Sequence, residues 1–322
     1  MTTSVALCTY NGALYIQEQI ESILNQTLPV DEIVVCDDGS ADNTVSIIQQ
    51  IAKAVPEKIR LIRNNTNIGL CANFMKAISL CKGDIVFLSD QDDIWYNNKV
   101  EKLTHYLTQH PKIDLVFSDA TLMGGHFNGQ KMSDNLNFPK ENRKMFFAGL
   151  AFELSLYQVY ALGASMAVRK KLIDQIIQKK PILNSHDHFL QFEASARNAI
   201  AYLDEPLYNY RIHNEQTSNA GGNMANILNY ITIPQNGEVW PLQEIASTIT
   251  DKRLIKRVHY MNERNHLLHD VWGPLKVISR PKLYRELYQR KSFSVMKYDI
   301  VRSIQQTLNR IKMKQNATSL SL

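Results

Sequence analysis

Long hydrophobic runs are missing from this chain. The nearest approach, Gly149 to Val168, is broken by Glu153, Ser155, Gln158 and Ser165. A membrane-spanning helix needs about 20 consecutive apolar residues, so this segment is read as core. The N-terminus enters a strand pattern almost at once, and no signal peptide is expected. Cysteine is sparse: Cys8, Cys36, Cys71 and Cys81, with no Cys-x-x-Cys pair. Reduced structural thiols in a cytoplasmic protein are the simplest account. Internal repeats and low-complexity tracts are also lacking. No recognised nucleic-acid-binding module is present, so nucleic acid is not expected as a partner.

What the chain has is an ordinary globular composition, 44% hydrophobic and 21% charged over 322 residues. That is long enough for one large or two modest domains with a real core. The small net charge of +5 hides an uneven spread. From Asp251 to Leu322 sixteen Lys and Arg stand against five Asp and Glu, while the rest of the chain carries twenty against twenty-six. A basic tail on a mildly acidic body suggests that the tail meets something anionic.

Up to about residue 120, apolar strands alternate with amphipathic helices. Strands are expected at 4–10, 32–37, 59–63, 84–89 and 114–118, and helices at 13–26, 42–54, 69–81 and 97–109. Alternation at this spacing means right-handed βαβ units, a parallel sheet and an α/β fold. Residues 124–144 are rich in Gly, Asn, Lys and Asp and read as a mobile loop. A strand near 161–168, a helix near 170–178 and strands at 201–203 and 207–212 follow. A boundary is expected near 216–240. This divides the chain into a catalytic domain at 1–215, with halves of about 1–120 and 121–215, and a helical basic region at 216–322.

The acids carry the chemistry. Ile85-Val86-Phe87-Leu88 runs straight into Ser89-Asp90-Gln91-Asp92-Asp93-Ile94-Trp95. Carboxylates packed so densely repel one another unless a cation sits among them, and a hard divalent ion carrying phosphate does this well. A turn with solvated acids and a helix cap is the alternative. Two further strands end in the same manner, Ile33 to Cys36 in Asp37-Asp38-Gly39-Ser40, and Val5 to Cys8 in Thr9-Tyr10-Asn11-Gly12. Polar residues at the carboxyl ends of several parallel strands mark a nucleotide site. Nucleotidyl transfer usually needs a basic residue in the loop after strand one. Thr9 to Leu14 holds no Lys or Arg, which argues against that chemistry.

The ordered set Thr9-Tyr10-Asn11-Gly12, Asp37-Asp38-Gly39-Ser40-x-Asp42-x-Thr44, Asn67-x-Gly69-x-x-x-Asn73-Phe74 and Ser89-Asp90-Gln91-Asp92-Asp93-x-Trp95 resembles the family 2 glycosyltransferases of GT-A fold. The likeness covers about residues 4 to 215 and leans toward bacterial rhamnosyltransferase-like enzymes. It implies a nucleoside-diphosphate sugar donor, with dTDP-L-rhamnose ahead of UDP-hexoses, and inverting transfer to a saccharide hydroxyl in surface polysaccharide or O-antigen synthesis.

The resemblance also implies roles. Asp38 would accept from the base, Asp37 would brace its turn, and Cys8, Thr9, Tyr10 and Asn11 would line the base and ribose pocket. Asn67, Gly69 and Asn73 would face base or sugar, with Asp90, Gln91 and Arg211 also on the donor. Asp92, with Asp90 and His213, would hold Mg²⁺ or Mn²⁺. Asp187 would be the catalytic base; Ser185 or Asp187 equally suits a helix N-cap. Trp95, Ser165 and His186 would meet the acceptor. A lipid-linked oligosaccharide acceptor would suit the basic segment 276–314, which can lie on an anionic leaflet at the inner face of the plasma membrane or pack as a soluble helix. A non-catalytic nucleotide-sugar-binding module is the remaining alternative. The joint presence of Asp38, Asp90, Asp92 and Asp187 argues against it.

Overall fold

The structure is a computed structural model describing residues 1–135, 138–156, 159–178, 185–213, 252–257, 260, 273–288 and 292–319. The chain divides into two compact units, Met1–Lys140 with Gln158–Gln235, and Glu141–Tyr157 with Asn236–Leu322.

The first unit is built on one eight-stranded sheet. Its elements in order are β1 (Thr3–Thr9), α1 (Ile16–Leu24), β2 (Glu32–Asp37), α2 (Thr44–Ala54), β3 (Ile59–Arg63), α3 (Leu70–Leu80), β4 (Ile85–Ser89), β5 (Ile94–Trp95), α4 (Lys99–Gln109) and β6 (Leu115–Met123). After α5 (Met132–Asn135) and the start of α6 (Lys140–Met145), the chain returns through β7 (Met166–Arg169), α8 (Lys170–Ile176), α9 (His186–Ala196) and β8 (Ile200–Arg211). The strand order is β3-β2-β1-β4-β7-β6-β8-β5.

The parallel half behaves as its composition dictates. Every residue of β1 and β4 is buried, because helices cover both faces and the strands become continuous apolar runs. The register Thr9↔Asp37 between β1 and β2, and Leu7↔Ser89 between β1 and β4, brings three strand ends to one edge. Ile16, Ile20 and Ile23 of α1 are buried on one helical stripe against this sheet.

Several elements differ from the sequence expectation. The sheet is mixed, since β7 runs antiparallel to both β4 and β6. The short β5 pairs with the end of β8, in a stretch where no strand was expected. The expected strands at 201–203 and 207–212 are one strand, and the register shifts near Pro206, which cannot donate to a ladder. Residues 124–144 are more structured than a mobile loop. The backbone of Gly129 and Gln130 bonds back to Leu122, and α5 follows directly.

The second unit is helical. Within it lie α7 (Ala151–Ser155), α10 (Gly273–Ile278), α11 (Pro281–Tyr288) and α12 (Ser292–Ser319). The segment at 141–157 belongs here, although its place in the chain suggested the catalytic half. The expected boundary near 216–240 lies outside the described residues. At the centre of the unit Arg257 grips Glu153 with two bonds of 2.9 and 2.6 Å, both side chains being sealed from solvent. The guanidinium also lies over the rings of Phe152 and Tyr288. Among the described residues no helix is long and apolar enough to cross a membrane.

Candidate active site

A cavity of about 430 Å³ opens at the edge where β1, β2 and β4 end, within the roughly 300–1,000 Å³ usual for ligand sites. Strand β1 delivers Cys8, Thr9 and Tyr10 to its wall, and β2 delivers Asp38. The start of α3 adds Asn67, Gly69, Leu70 and Asn73, and the end of β4 adds Asp90, Gln91 and Asp92. Leu162, Gly163, His186, Asp187 and Tyr210 complete it.

Asp38 is held by a polar mesh. Its Oδ1 accepts from Asn64 Nδ2 at 2.8 Å and from the Ile68 amide at 2.9 Å, and its Oδ2 accepts from the Gly69 amide at 2.9 Å. A carboxylate offers about four lone-pair sites, so one position on Oδ2 remains. Asn73 completes the mesh by accepting from Asn64 and donating to the Cys36 carbonyl. Gly69 has φ of +86°, and a Cβ there would meet nothing within 4 Å. Backbone conformation, and not a close approach, is what calls for glycine.

Asp37 points away from the cavity. It accepts from the amides of Gly39 and Ser40 and from the Ser40 hydroxyl, and so braces its turn. Asn11 also stands off the cavity wall; it accepts from the Ala41 amide and ties the two loops together. Gln91 reaches across to accept from Thr9 Oγ1 at 2.7 Å and from the Tyr10 amide at 2.9 Å.

The acidic loop is the most charged part of the site. Asp90 accepts no hydrogen bond through its carboxylate among the described residues. Burial, with Asp92 and Asp187 adding repulsion, pushes its pKa up to about 7, opposed by Lys99. Burial, with Asp92 and Asp90, drives Asp93 well above the carboxylate range, although the Arg211 amide donates to it at 3.2 Å. Lys99 is fully buried beneath them. It donates to the Ala164 carbonyl and lies 3.9 Å over the Trp95 ring. Burial pulls its pKa down to about 7 against the pull of Asp93 and Asp90.

The end of β8 closes on this loop. His213 Nε2 lies 2.9 Å from Asp92 Oδ2, and Arg211 donates to the Asp92 carbonyl at 2.8 Å and to Glu18 at 2.5 Å. Neither Arg211 nor His213 borders the cavity itself. Among the described residues no three His, Cys, Asp or Glu side chains are arranged as a ready metal cluster. The donor set does fit Mg²⁺ or Mn²⁺. Asp90 is a carboxylate with no hydrogen bond to hold its charge, Asp92 lies beside it, and such ions complete their shells with phosphate and water.

Asp187 sits in the first turn of α9. Ser185 is the N-cap, and its hydroxyl both accepts from the His188 amide and donates to Asp187 Oδ1. The His188 amide also donates to Oδ1 at 2.8 Å. Oδ2 accepts nothing among the described residues. The cap and this carboxylate are tied together two residues apart. His186 is stacked on Phe74 at 3.8 Å, and burial lowers its pKa against the pull of Asp187. Both its nitrogens are sealed without a partner, so it touches the cavity only through its carbon edge or backbone.

The two other expected acceptor contacts are corrected. Trp95 is 3% exposed and packs under Lys99 and against Phe87, away from the cavity. Ser165 is buried with its hydroxyl on the Leu162 carbonyl. The lining residues in that stretch are Leu162 and Gly163, and at Gly163 a Cβ would come 2.7 Å from His186 Nε2. Leu70 and Leu162 had no signal in the sequence beyond apolarity, which core residues share.

The profile of the family described as "Glycosyl transferase family 2" matches residues 4–177. An uncharacterized glycosyltransferase of Haemophilus influenzae is 29% identical over 223 residues, covering 67% of each chain. The dTDP-rhamnosyl transferase RfbG of Shigella flexneri is 27% identical over 267 residues, covering 77% of this chain and 86% of its own. Among solved structures, S. aureus TarS 1–349 in complex with UDP-GlcNAc superposes with a TM-score of 0.53 at 18% identity, covering 95% of this chain and 89% of that one. The mannosyltransferase PcManGT of Pyrobaculum calidifontis, in complex with GDP-Man and Mn²⁺, gives 0.52 at 16% identity, covering 95% and 86%. At those identities the likeness speaks for the fold alone, which is the GT-A type. With more than half its length matched, the chain belongs to glycosyltransferase family 2, whose members are inverting enzymes.

Proposed function

We propose that this glycosyltransferase moves a sugar from a pyrimidine nucleoside-diphosphate donor, dTDP-L-rhamnose first among candidates, to a hydroxyl of a lipid-linked or free saccharide destined for surface polysaccharide or O-antigen. The observation that carries the reading is convergence: Asp38, Asp90, Asp92 and Asp187, from three distant stretches of chain, line one cavity. The 27% identity to a dTDP-rhamnosyl transferase supports the sugar.

In this reading the free position on Asp38 Oδ2 accepts from the imide N–H of the base. Thr9, Tyr10, Asn67 and Asn73 surround base and ribose. Asp90 and Asp92, with His213 behind Asp92, would hold the divalent cation, which would neutralise charge on the departing diphosphate. Asp187 takes the acceptor hydroxyl proton on Oδ2 as that oxygen attacks the anomeric carbon. The new C–O bond forms as the bond to the diphosphate breaks on the opposite face, and the nucleoside diphosphate leaves with its electron pair. Ser185 and the His188 amide occupy Oδ1 and aim the other oxygen. The four cysteines are all free thiols, in keeping with a cytoplasmic site of action.

A panel of nucleotide sugars with Mn²⁺, read by thermal shift, tests this. A donor at 100 times its Kd stabilises the native state by about 2.7 kcal/mol. The dTDP-rhamnose arm is expected to give the largest shift. A larger shift from a UDP-hexose reassigns the donor, and a flat response to every nucleotide sugar refutes the reading.

A further inference from the structure

Helix α12 is inside out. Its buried edge is Val295, Asp299 and Ser303, spaced by four, each with no exposed surface. Asp299 is there because the Tyr284 hydroxyl donates to it at 2.6 Å, and Tyr260 donates in turn to Tyr284. The large apolar residues point the other way. Phe293, Val301 and Leu308 are 72%, 58% and 48% exposed, and Ile304 is exposed beside them. Their spacing of eight, three and four places them on one helical stripe. Helix α10 repeats the arrangement in small, with Val277 buried and Leu275 and Ile278 exposed. A stripe of this kind left to water is costly, and it marks a surface that something covers.

Charge selects the occupant. Between Gly273 and Leu308 the described residues include Lys282, Arg285, Lys297 and Arg302 against two acids. Of those acids Asp299 is buried, and Glu286 is paired with Lys256. A second copy of this chain would bring like charges together across the stripe. An anionic leaflet offers both an apolar interior for the stripe and phosphates for the cations.

We propose that the outward face of α12, extended by α10, is a membrane-seating surface that lies in the interface of an anionic bilayer. The proposal rests on the reading of a lipid-linked acceptor only for its purpose, since seating the helical unit at the bilayer keeps the enzyme where such an acceptor resides. It stands or falls on different measurements.

The experiment is flotation of the full chain with phosphatidylcholine vesicles, with or without phosphatidylglycerol. Wild type is expected to float with the anionic vesicles and to stay behind with the neutral ones, and the bound fraction should fall as salt rises. The double variant Val301→Glu with Ile304→Glu alters exposed positions only. It is expected to keep the wild-type melting temperature and to lose about tenfold in partitioning to anionic vesicles. Donor-induced thermal shift is read on the same samples, so a failure of the donor reading is seen separately. Wild type that ignores anionic vesicles overturns the proposal. So does a variant that floats as well as wild type. A dimer by light scattering that the variant dissociates also overturns it, because a second copy would then be the occupant.

Discussion

Replacing Asp187 by Asn removes one charge and nearly nothing else. The amide keeps the shape of the carboxylate, and its oxygen can still accept from Ser185 and the His188 amide. Ser185 remains the N-cap of α9, so the loss of a cap, worth about 1 kcal/mol, is not incurred. Asp187 is also one of the charges that raise Asp90, so the variant eases repulsion within the acidic loop. Donor and Mn²⁺ affinity should therefore hold or tighten slightly. Turnover should not hold. A positioned general base contributes about 10²–10⁴-fold, or about 2.7–5.4 kcal/mol of barrier. The assay is transfer to acceptor at saturating donor, with donor Kd measured in parallel. Turnover within about threefold of wild type, or donor binding lost in proportion to rate, would refute the reasoning.

Three further outcomes are expected. Mn²⁺ affinity should fall as pH drops below about 7, because Asp90 titrates there and the metal must then displace a proton, at about tenfold per pH unit for one proton; calorimetric titration that is flat from pH 5 to 8 would remove Asp90 from the metal site. Gly163→Ala puts a Cβ 2.7 Å from His186, whose ring is stacked on Phe74, and overpacking of this kind costs about 1–3 kcal/mol; melting temperature and turnover should both drop, and a variant unchanged in both shows slack at the start of α9. Glu153→Gln leaves Arg257 buried without its counter-charge, a change that costs about 3–5 kcal/mol, whereas Glu153→Leu with Arg257→Met should recover most of the loss; urea unfolding in which the single variant matches wild type would deny the pair its role.

The cavity's acids were legible locally. Each of Asp38, Asp90 and Asp92 follows an apolar run that reads as a buried strand, and parallel strands deliver their carboxyl ends to one edge. Asp187 had no such marker. Its recognition came from family likeness, because it sits at the start of a helix whose neighbours are separated from it by long stretches of chain. The misplacement of Trp95 and Ser165 has one cause. An indole or a hydroxyl near the acids reads as ligand-facing in one dimension, and only the position of Lys99 and the Leu162 carbonyl shows which way each turns.

By itself the sequence determined the first four parallel strands, their helices and the polar ends of three of them, since these depend on short-range periodicity and on burial of both sheet faces. Only the tertiary structure decided that β7 inserts antiparallel between β4 and β6, that Gly163 and not Ser165 borders the cavity, that Glu153 meets Arg257, and that α12 turns its apolar stripe outward. Those choices are pairings between residues tens of positions apart. Their energy comes from complementary surfaces meeting after collapse, and no local pattern of residue types records which surfaces will meet.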